Sequence, residues 1–378
     1  MKYYKIIVLI LLFNLTGCSQ EQLFDPGSSI NIAVGSAASK VAIADLNDDS
    51  FNDLIVTTND GLVVLLNDGK GNFKQPEGSP FPAGNEPADI GLADFNKDGN
   101  LDLAIPNHER DEITILFGNG TGKFKEAIYT SLKIDLNPHA HSVAAADLNN
   151  DGNIDLALTN FLGAEIILEF GDGKGNFSAN PVHISVPHYP YRNVIISDIN
   201  LDGKPDIITP ANNMNSITIL LGDGKGNFSS AKGSPFGIGN YPFFTTVGDF
   251  NADGYPDLLA TNFNSGEVSV LPGNKVIDFS SSKLKTFNAG LKPVCVATGD
   301  LNSDGITDAV CANYESNDIT ILLGNKETIF NAKIKNIPVG TSPYGVAVGD
   351  LNGDNKPDIV TANFESNNIT VLFNLNSN

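Results

Sequence analysis

The sequence predicts an all-β fold, a seven-bladed β-propeller of four-stranded antiparallel blades. Three observations carry that prediction. A nine-residue aspartate motif recurs seven times, the stretches between copies share one order of apolar runs and turns, and the two ends of the repeat region complement each other. A fixed period of this length marks a repeat architecture in which each copy is one supersecondary unit. It overrides the two or three domains that 378 residues would otherwise suggest.

The motif reads DLNDDSFND, DFNKDGNLD, DLNNDGNID, DINLDGKPD, DFNADGYPD, DLNSDGITD and DLNGDNKPD. Successive copies start 49, 53, 51, 51, 51 and 50 residues apart. Positions 1, 5 and 9 are aspartate and position 3 is asparagine in every copy. These are Asp45, Asn47, Asp49 and Asp53; Asp94, Asn96, Asp98 and Asp102; Asp147, Asn149, Asp151 and Asp155; and Asp198, Asn200, Asp202 and Asp206. The last three copies supply Asp249, Asn251, Asp253 and Asp257; Asp300, Asn302, Asp304 and Asp308; and Asp350, Asn352, Asp354 and Asp358.

Each repeat spells the same order of elements. A short run of small residues precedes the motif, as in Gly345-Val346-Ala347-Val348-Gly349. An apolar run follows it, such as Asp257-Leu258-Leu259-Ala260-Thr261, and then a polar loop opens near an asparagine. A second apolar run leads to the turn DGKGNF at 68–73, 172–177 and 223–228, and a last strand reaches the next repeat. Four short strands joined by Gly-rich turns make a propeller blade. Helix signals are absent. The last repeat stops after Ile369-Thr370-Val371-Leu372-Phe373 without a fourth strand, while Phe24 aligns with Phe73, Phe177 and Phe228. An N-terminal strand should therefore complete the seventh blade and leave the ring no open edge.

The motif also carries chemistry. Side chains at positions 1, 3 and 5 converge when the backbone curls, and calcium asks for six to eight oxygens at flexible geometry. A carbonyl near position 7 and the carboxylate at position 9 would complete the set. Glycine at position 6 permits the sharp turn. Asp, Asn and Gly also make plain turns. However, three carboxylates packed together seven times over repel unless a cation joins them. Up to seven structural Ca2+ are expected, and magnesium is disfavoured by its strict octahedral demand. Ser50 and Asn355 replace the glycine in the first and last copies. Asn tolerates a left-handed backbone better than Ser, so the Asp45 loop should be the weakest site.

The 21 motif aspartates equal in number the net charge of −21. Loss of Lys2 and Lys5 with a leader leaves −23, and seven divalent cations would bring that to −9. Such acidity argues against a nucleic-acid partner. Residues 1–17 read as a secretory signal, with Lys2 and Lys5 ahead of an apolar stretch too short to span a bilayer. Leu15-Thr16-Gly17-Cys18 resembles a bacterial lipobox, which implies lipidation at Cys18, a short tether at 18–23 and the propeller at 24–378. Ser19 after the cysteine favours the outer membrane by the same resemblance, facing either the periplasm or the surface. Cys295 and Cys311 flank one motif on neighbouring strands. An oxidising compartment permits a disulfide, and buried free thiols are the favoured alternative.

The motifs resemble the FG-GAP or VCBS repeats of integrin-α-like propellers, over residues 24–378. The resemblance implies calcium loops between the first and second strands on the lower face, and recognition on the upper face. That face should gather His139, His141, His188, Tyr189, Tyr191, Arg192, Tyr241, Phe243, Phe244 and Tyr344 from the connections between blades, and His108, Phe161, Phe263, Tyr314 and Phe364 from the loops between second and third strands. Aromatics with a few polar groups suit a protein or glycan ligand, and they also suit packing between blades. The expected function is a monomeric, lipid-anchored binding or adhesion module. No nucleophile elbow, zinc-protease or phosphate-loop motif is present. A polysaccharide-degrading enzyme would have to draw on Glu86, Glu109, Asp111, Glu112 or Glu165, and an envelope-complex scaffold is a third reading.

Overall fold

The structure is a computed structural model that describes residues 23–84, 86–108, 112–125, 128–131, 140–178, 180–279, 283–331 and 336–376. The leader, Cys18, His139, Glu109 and Asp111 lie outside the described residues. Seven antiparallel sheets of four or five strands follow one another along the chain, and Gly324–Asn325 pairs with Ile329–Phe330 in a separate two-stranded sheet. Helical structure among the described residues is limited to two single 3-10 turns, Pro26–Ser28 and Asn212–Met214.

Blades are numbered by their aspartate motif. In blade 3 the strands are Ala140–Ala146, Asp155–Asn160, Glu165–Glu169 and Val182–Ser185, paired in that order. The second strand is buried at every position in each blade, as in Asp257–Asn262 and Asp358–Asn363. Both of its faces pack, which is why these runs read as continuous rather than alternating apolar sequence. First strands of successive blades pack on one another towards the ring's axis. The core is divided into clusters, most of them between two adjacent blades.

Closure follows the expected route. Ile30–Ala33 pairs antiparallel with Asn368–Leu372, from Ile30 opposite Val371 to Ala33 opposite Asn368. Phe24 bridges Asn374, as Phe124 bridges Gly118 and Phe177 bridges Gly171 in earlier blades. Leu54, Val56 and Val63 of blade 1 share one cluster with Val360, Ala362 and Ile369 of blade 7. Cys295 and Cys311 are free and buried. Cys311 stands opposite Val296, and Cys295 opposite Ala312, so the thiols leave their sheet on opposite faces.

One placement differs from the sequence reading. His141, Phe243 and Tyr344 were expected in the connections between blades. They belong to first strands, at β-bulges where the register shifts between Ala140 and Val143, Pro242 and Phe244, and Pro343 and Gly345. A bulge inserts one residue and re-aims a side chain. Each of these rings joins the aromatic cluster at the upper end of the ring.

Candidate functional site

The aspartate motifs link first and second strands, for example Val41–Ala44 to Asp53–Thr58 and Pro343–Gly349 to Asp358–Asn363. In blade 2 the Asp98 amide donates to Asp94 Oδ1 at 3.1 Å and to Asn96 Oδ1 at 2.8 Å. Gly99 N–H reaches Asp94 Oδ2 at 2.8 Å, and Asn96 Nδ2 reaches Asp98 Oδ2 at 3.1 Å. Oxygens of positions 1 and 3 thus meet at a single amide. The same fork recurs at Asp45, Asp147, Asp198, Asp249 and Asp300. The loop at Asp350 departs from it: Asp350 Oδ1 takes the Asn352 and Gly353 amides instead.

Two backbone positions in each loop are left-handed. Position 6 is the expected one, with φ 88° at Gly99 and 87° at Gly254. A Cβ on either glycine would meet nothing within 4 Å, so the glycine is there for its dihedral and not for space. Ser50 and Asn355 adopt the same region at φ 70° and 62°. Position 4 was missed from sequence. It is left-handed at Asp48, Lys97, Asn150, Leu201, Ala252, Ser303 and Gly353, six of them bearing a Cβ. Strain of this kind is held only where neighbouring contacts over-determine the backbone.

The ninth aspartate plays a second part that its spacing did not disclose. All seven are fully buried. Each splits its oxygens between two amides of different elements. Asp155 takes Leu148 N–H and Gly171 N–H, both at 2.9 Å, and Asp257 takes Phe250 N–H at 3.1 Å and Gly273 N–H at 2.7 Å. The carboxylate therefore ties its own loop to the end of the third strand. Gly171 is glycine because the Ile154 carbonyl would lie 2.2 Å from a Cβ there. Burial pushes these carboxyls up, to about 6 in Asp53, Asp102, Asp155 and Asp206 and to about 7 in Asp257, Asp308 and Asp358. The amides oppose that rise, while the carboxylates at positions 5 and 1 add to it.

The donors fit a hard divalent cation in type and spacing. They do not form a preassembled carboxylate cage. Among the described residues, no three His, Cys, Asp or Glu side chains stand together at metal-holding distance. The convergent trio in six of the loops is two carboxylates and an amide, and the ninth carboxylate of all seven faces backbone.

At the other end of the ring, aromatic side chains from blades 2 to 7 form one chain of contacts. His108 lies 4.4 Å from His141, His141 5.1 Å from Tyr191, Tyr191 5.7 Å from Phe243 and Phe243 6.2 Å from Tyr344. Phe161 links Tyr191 to Tyr189, and Tyr344 meets Tyr314 and Phe364. Some predicted contact residues are floor rather than surface: Phe243 and His141 are buried, whereas Tyr189 and Phe364 are exposed. Phe244, which lies in a first strand opposite Thr261 and not in a connection between blades, packs under Lys40 Nζ at 4.4 Å, and Tyr241 packs against Phe263. His188 is half-buried and joins none of these ring pairs among the described residues. Above the floor a cavity of about 320 Å3 opens between Ser39, Asn59, His108, Arg192, Tyr344 and Phe364.

The upper loops rest on a pairing that the sequence reading also missed. Asn107, the residue after its second strand, and Asn313 and Asn363, which end theirs, donate Nδ2 to Thr114, Thr320 and Thr370 at 2.9 Å, and Asn262 does the same to Ser269 at 2.7 Å. The signal, an asparagine seven residues before a hydroxyl, was present in the chain. Of the carboxylates considered for catalysis, Glu86 and Glu165 are each held by a histidine, His108 Nδ1 at 3.2 Å and His183 Nδ1 at 3.0 Å. Glu112 begins a third strand, Glu112–Leu116.

A family model described as an FG-GAP-like repeat matches residues 24–105, 106–158, 198–260, 249–311 and 300–361. Among curated proteins, the chain is similar to the T-cell immunomodulatory protein of Mus musculus. The two are 29% identical over 274 residues, 61% of this chain and 44% of that protein. It is likewise similar to a T-cell immunomodulatory protein homolog of Plasmodium falciparum (isolate 3D7), 26% identical over 277 residues, 59% of this chain and 37% of that protein. The chain thus spans less than half the length of these relatives, and neither is named for a reaction. Among solved structures, BBS1N in complex with ARL6DN matches with a TM-score of 0.63 at 10% identity. The match covers 94% of this chain and 97% of that one, a likeness of fold.

Proposed function

The chain belongs to the FG-GAP-like repeat family, and from that premise we propose that it is a calcium-stabilised binding or adhesion module. It acts outside the cytoplasm as a monomer, held at the outer membrane by lipid on Cys18. It takes a protein or glycan partner on the face opposite the aspartate loops. The observation that carries this reading is the aromatic floor spanning blades 2 to 7 beneath an open cavity. Rings with exposed faces and a few polar neighbours supply contact area at little entropic cost.

In each loop, positions 1, 3 and 5 would hold the cation, with the ninth carboxylate close by. Calcium supplies positive charge that offsets repulsion among carboxylates folded into a few ångströms. Its binding energy adds directly to folding stability. Stripping with EDTA should lower the melting temperature by more than 10 °C, reversibly, and metal analysis should find several calcium ions per chain. Unchanged stability with no bound calcium would defeat this half of the proposal.

The binding half is tested on exposed residues, because substituting buried Phe243 would disturb the fold as well. Tyr189→Ala combined with Phe364→Ala should abolish capture of partners from envelope or environmental extracts while the melt stays within about 2 °C. Capture that survives the double change moves the site elsewhere.

A further inference from the structure

We infer that Arg192 makes the mouth of the ring a site for a carboxylate-bearing sugar, an inference that rests on the upper-face reading above. Arg192 enters from the connection before blade 4 and lies among rings from three blades. Its Cζ is 5.1 Å from the centre of Tyr191, 5.6 Å from Phe243 and 5.6 Å from Tyr344. Those faces hold a guanidinium in place by cation–π attraction without neutralising it. Among the described residues, no carboxylate stands within 4 Å of it, and its Nε is buried without a hydrogen-bond partner. Burial works against its charge, and Tyr191 gives it a side-chain hydrogen bond.

The setting makes that lack of a carboxylate partner informative. This chain carries 44 acidic residues against 23 basic ones; exposed lysines such as Lys70 and Lys225, which make no ion pair among the described residues, are served by solvent, whereas the buried Nε of Arg192 is not. The neighbouring cation is already matched, since Lys40 Nζ lies 3.1 Å from Asp89 Oδ1. Glu86, at the rim of the same cavity, is engaged with His108. A guanidinium offers a rigid fork that pairs with a carboxylate in two parallel hydrogen bonds. Desolvation by the aromatic floor strengthens such a pair. The cavity of about 320 Å3 is the size of a small ligand group, and Tyr314, Tyr344 and Phe364 present rings on which sugar CH faces stack. An acidic monosaccharide unit, a uronate or a sialate, supplies both the carboxylate and the CH face.

An array of neutral, uronate-bearing and sialylated oligosaccharides, with a matched set of acidic peptides, tests this on the full chain in calcium. At least one carboxylate-bearing glycan should bind ten-fold or more tightly than its carboxyl-reduced counterpart. Arg192→Lys keeps the charge and loses the fork, and should weaken binding about ten-fold. Arg192→Gln should erase the preference for the carboxylate over the reduced sugar, a readout that a packing role would not move. Equal binding of reduced and acidic sugars, acidic peptides as the ligands, or no acidic glycan bound at all would overturn the inference. If Tyr189→Ala removes binding while Arg192→Gln spares it, the upper face stands and the carboxylate assignment falls. If neither change matters, both fall.

Discussion

Replacing Glu169 with leucine should stabilise the protein by about 2–4 kcal/mol. Glu169 closes the third strand of blade 3 and stands opposite Leu156. The matching residue is Leu65, Leu116, Leu220, Leu271, Leu322 and Leu372 in the other blades. Those leucines are buried beside the second motif residue of the preceding blade, as Leu116 is beside Leu46 and Leu322 beside Phe250. The repeat therefore sets the Glu169 carboxyl beside Phe95. It is fully buried, and neither oxygen has a hydrogen-bond partner among the described residues. A buried polar group left without a partner costs about 1–3 kcal/mol. A leucine there adds roughly 1 kcal/mol of apolar contact beyond the methylenes that glutamate already buries. For roughly 350 ordered residues, unfolding entropy near 2.1 cal/mol/K each makes 3 kcal/mol worth about 4 °C.

Burial also pushes the Glu169 carboxyl up to about 7. The folded state keeps its proton between the ordinary carboxylate range and pH 7, while the unfolded chain gives it up. Its contribution is therefore fully present below about pH 4.5 and is lost as pH rises to 7, at no more than about 1.4 kcal/mol per pH unit for one proton. The gap between Glu169→Leu and the parent should accordingly be wider at pH 8 than at pH 5. Thermal and urea melts at both pH values, in excess calcium so that the loops stay locked, measure it. Glu169→Gln, which keeps the polar oxygen and removes the titration, should flatten the pH dependence without reaching the stability of leucine. A leucine variant that is less stable at both pH values would show that Glu169 has a partner, and would refute the inference from the repeat.

Three further outcomes follow from the loops. In metal-stripped protein, stability should fall as pH rises from about 4 to 7, because the seven ninth-position carboxyls titrate at about 6 to 7 when folded; excess calcium should remove or reverse that slope in urea melts at stepped pH. Asp257→Ala should cost about 2–6 kcal/mol even in EDTA, since it orphans the Phe250 and Gly273 amides, whereas Asp253→Ala, at an exposed position 5, should show most of its loss only in calcium. Gly171→Ala should cost at least about 2 kcal/mol with or without calcium, because its Cβ would meet a backbone carbonyl at 2.2 Å; a neutral result in chemical denaturation would contradict the packing described.

What the chain disclosed and what it withheld divide on physical lines. The loops were legible because a turn that gathers oxygens needs fixed residue types at fixed spacing, and seven copies removed coincidence. Ring closure was legible because Phe24 repeats the role of Phe177. The double duty of the ninth aspartate was not, since its second amide comes from 16 residues away in six blades but 14 in blade 1, where the strand-two turn is shorter. The left-handed fourth position was hidden because Lys97, Leu201 and Ala252 carry no signature of that backbone. His141 and Phe243 were read as surface because bulges leave no mark in the sequence. Whether a ring at the axis is floor or rim depends on the neighbouring blade, and the repeat describes only its own.

The same neighbour dependence says how the lower face serves the upper one. In six of the seven blades the turn after the third strand docks on the motif of the preceding blade. Gly122 N–H reaches Leu46 O at 2.9 Å, Gly175 N–H reaches Phe95 O at 3.0 Å, and Asn325 N–H reaches Phe250 O at 3.0 Å. Where the ring closes, Asn67 Nδ2 holds Leu351 O at 2.9 Å, and Asn374 Nδ2 holds Leu301 O at 2.8 Å between blades 6 and 7. The acceptor in each case is the second motif residue, whose own amide is fixed by the ninth aspartate. An ordered loop therefore fixes its own hairpin and offers a seat to the next blade. Cations bound in the loops would act on the joints between blades as well as on single turns. The upper mouth is assembled from bulged residues and loops of all seven blades, so its geometry is only as definite as those joints. On the proposed reading the aspartates would touch no partner themselves, yet they would set the distances at which Arg192 and its ring of aromatics meet one.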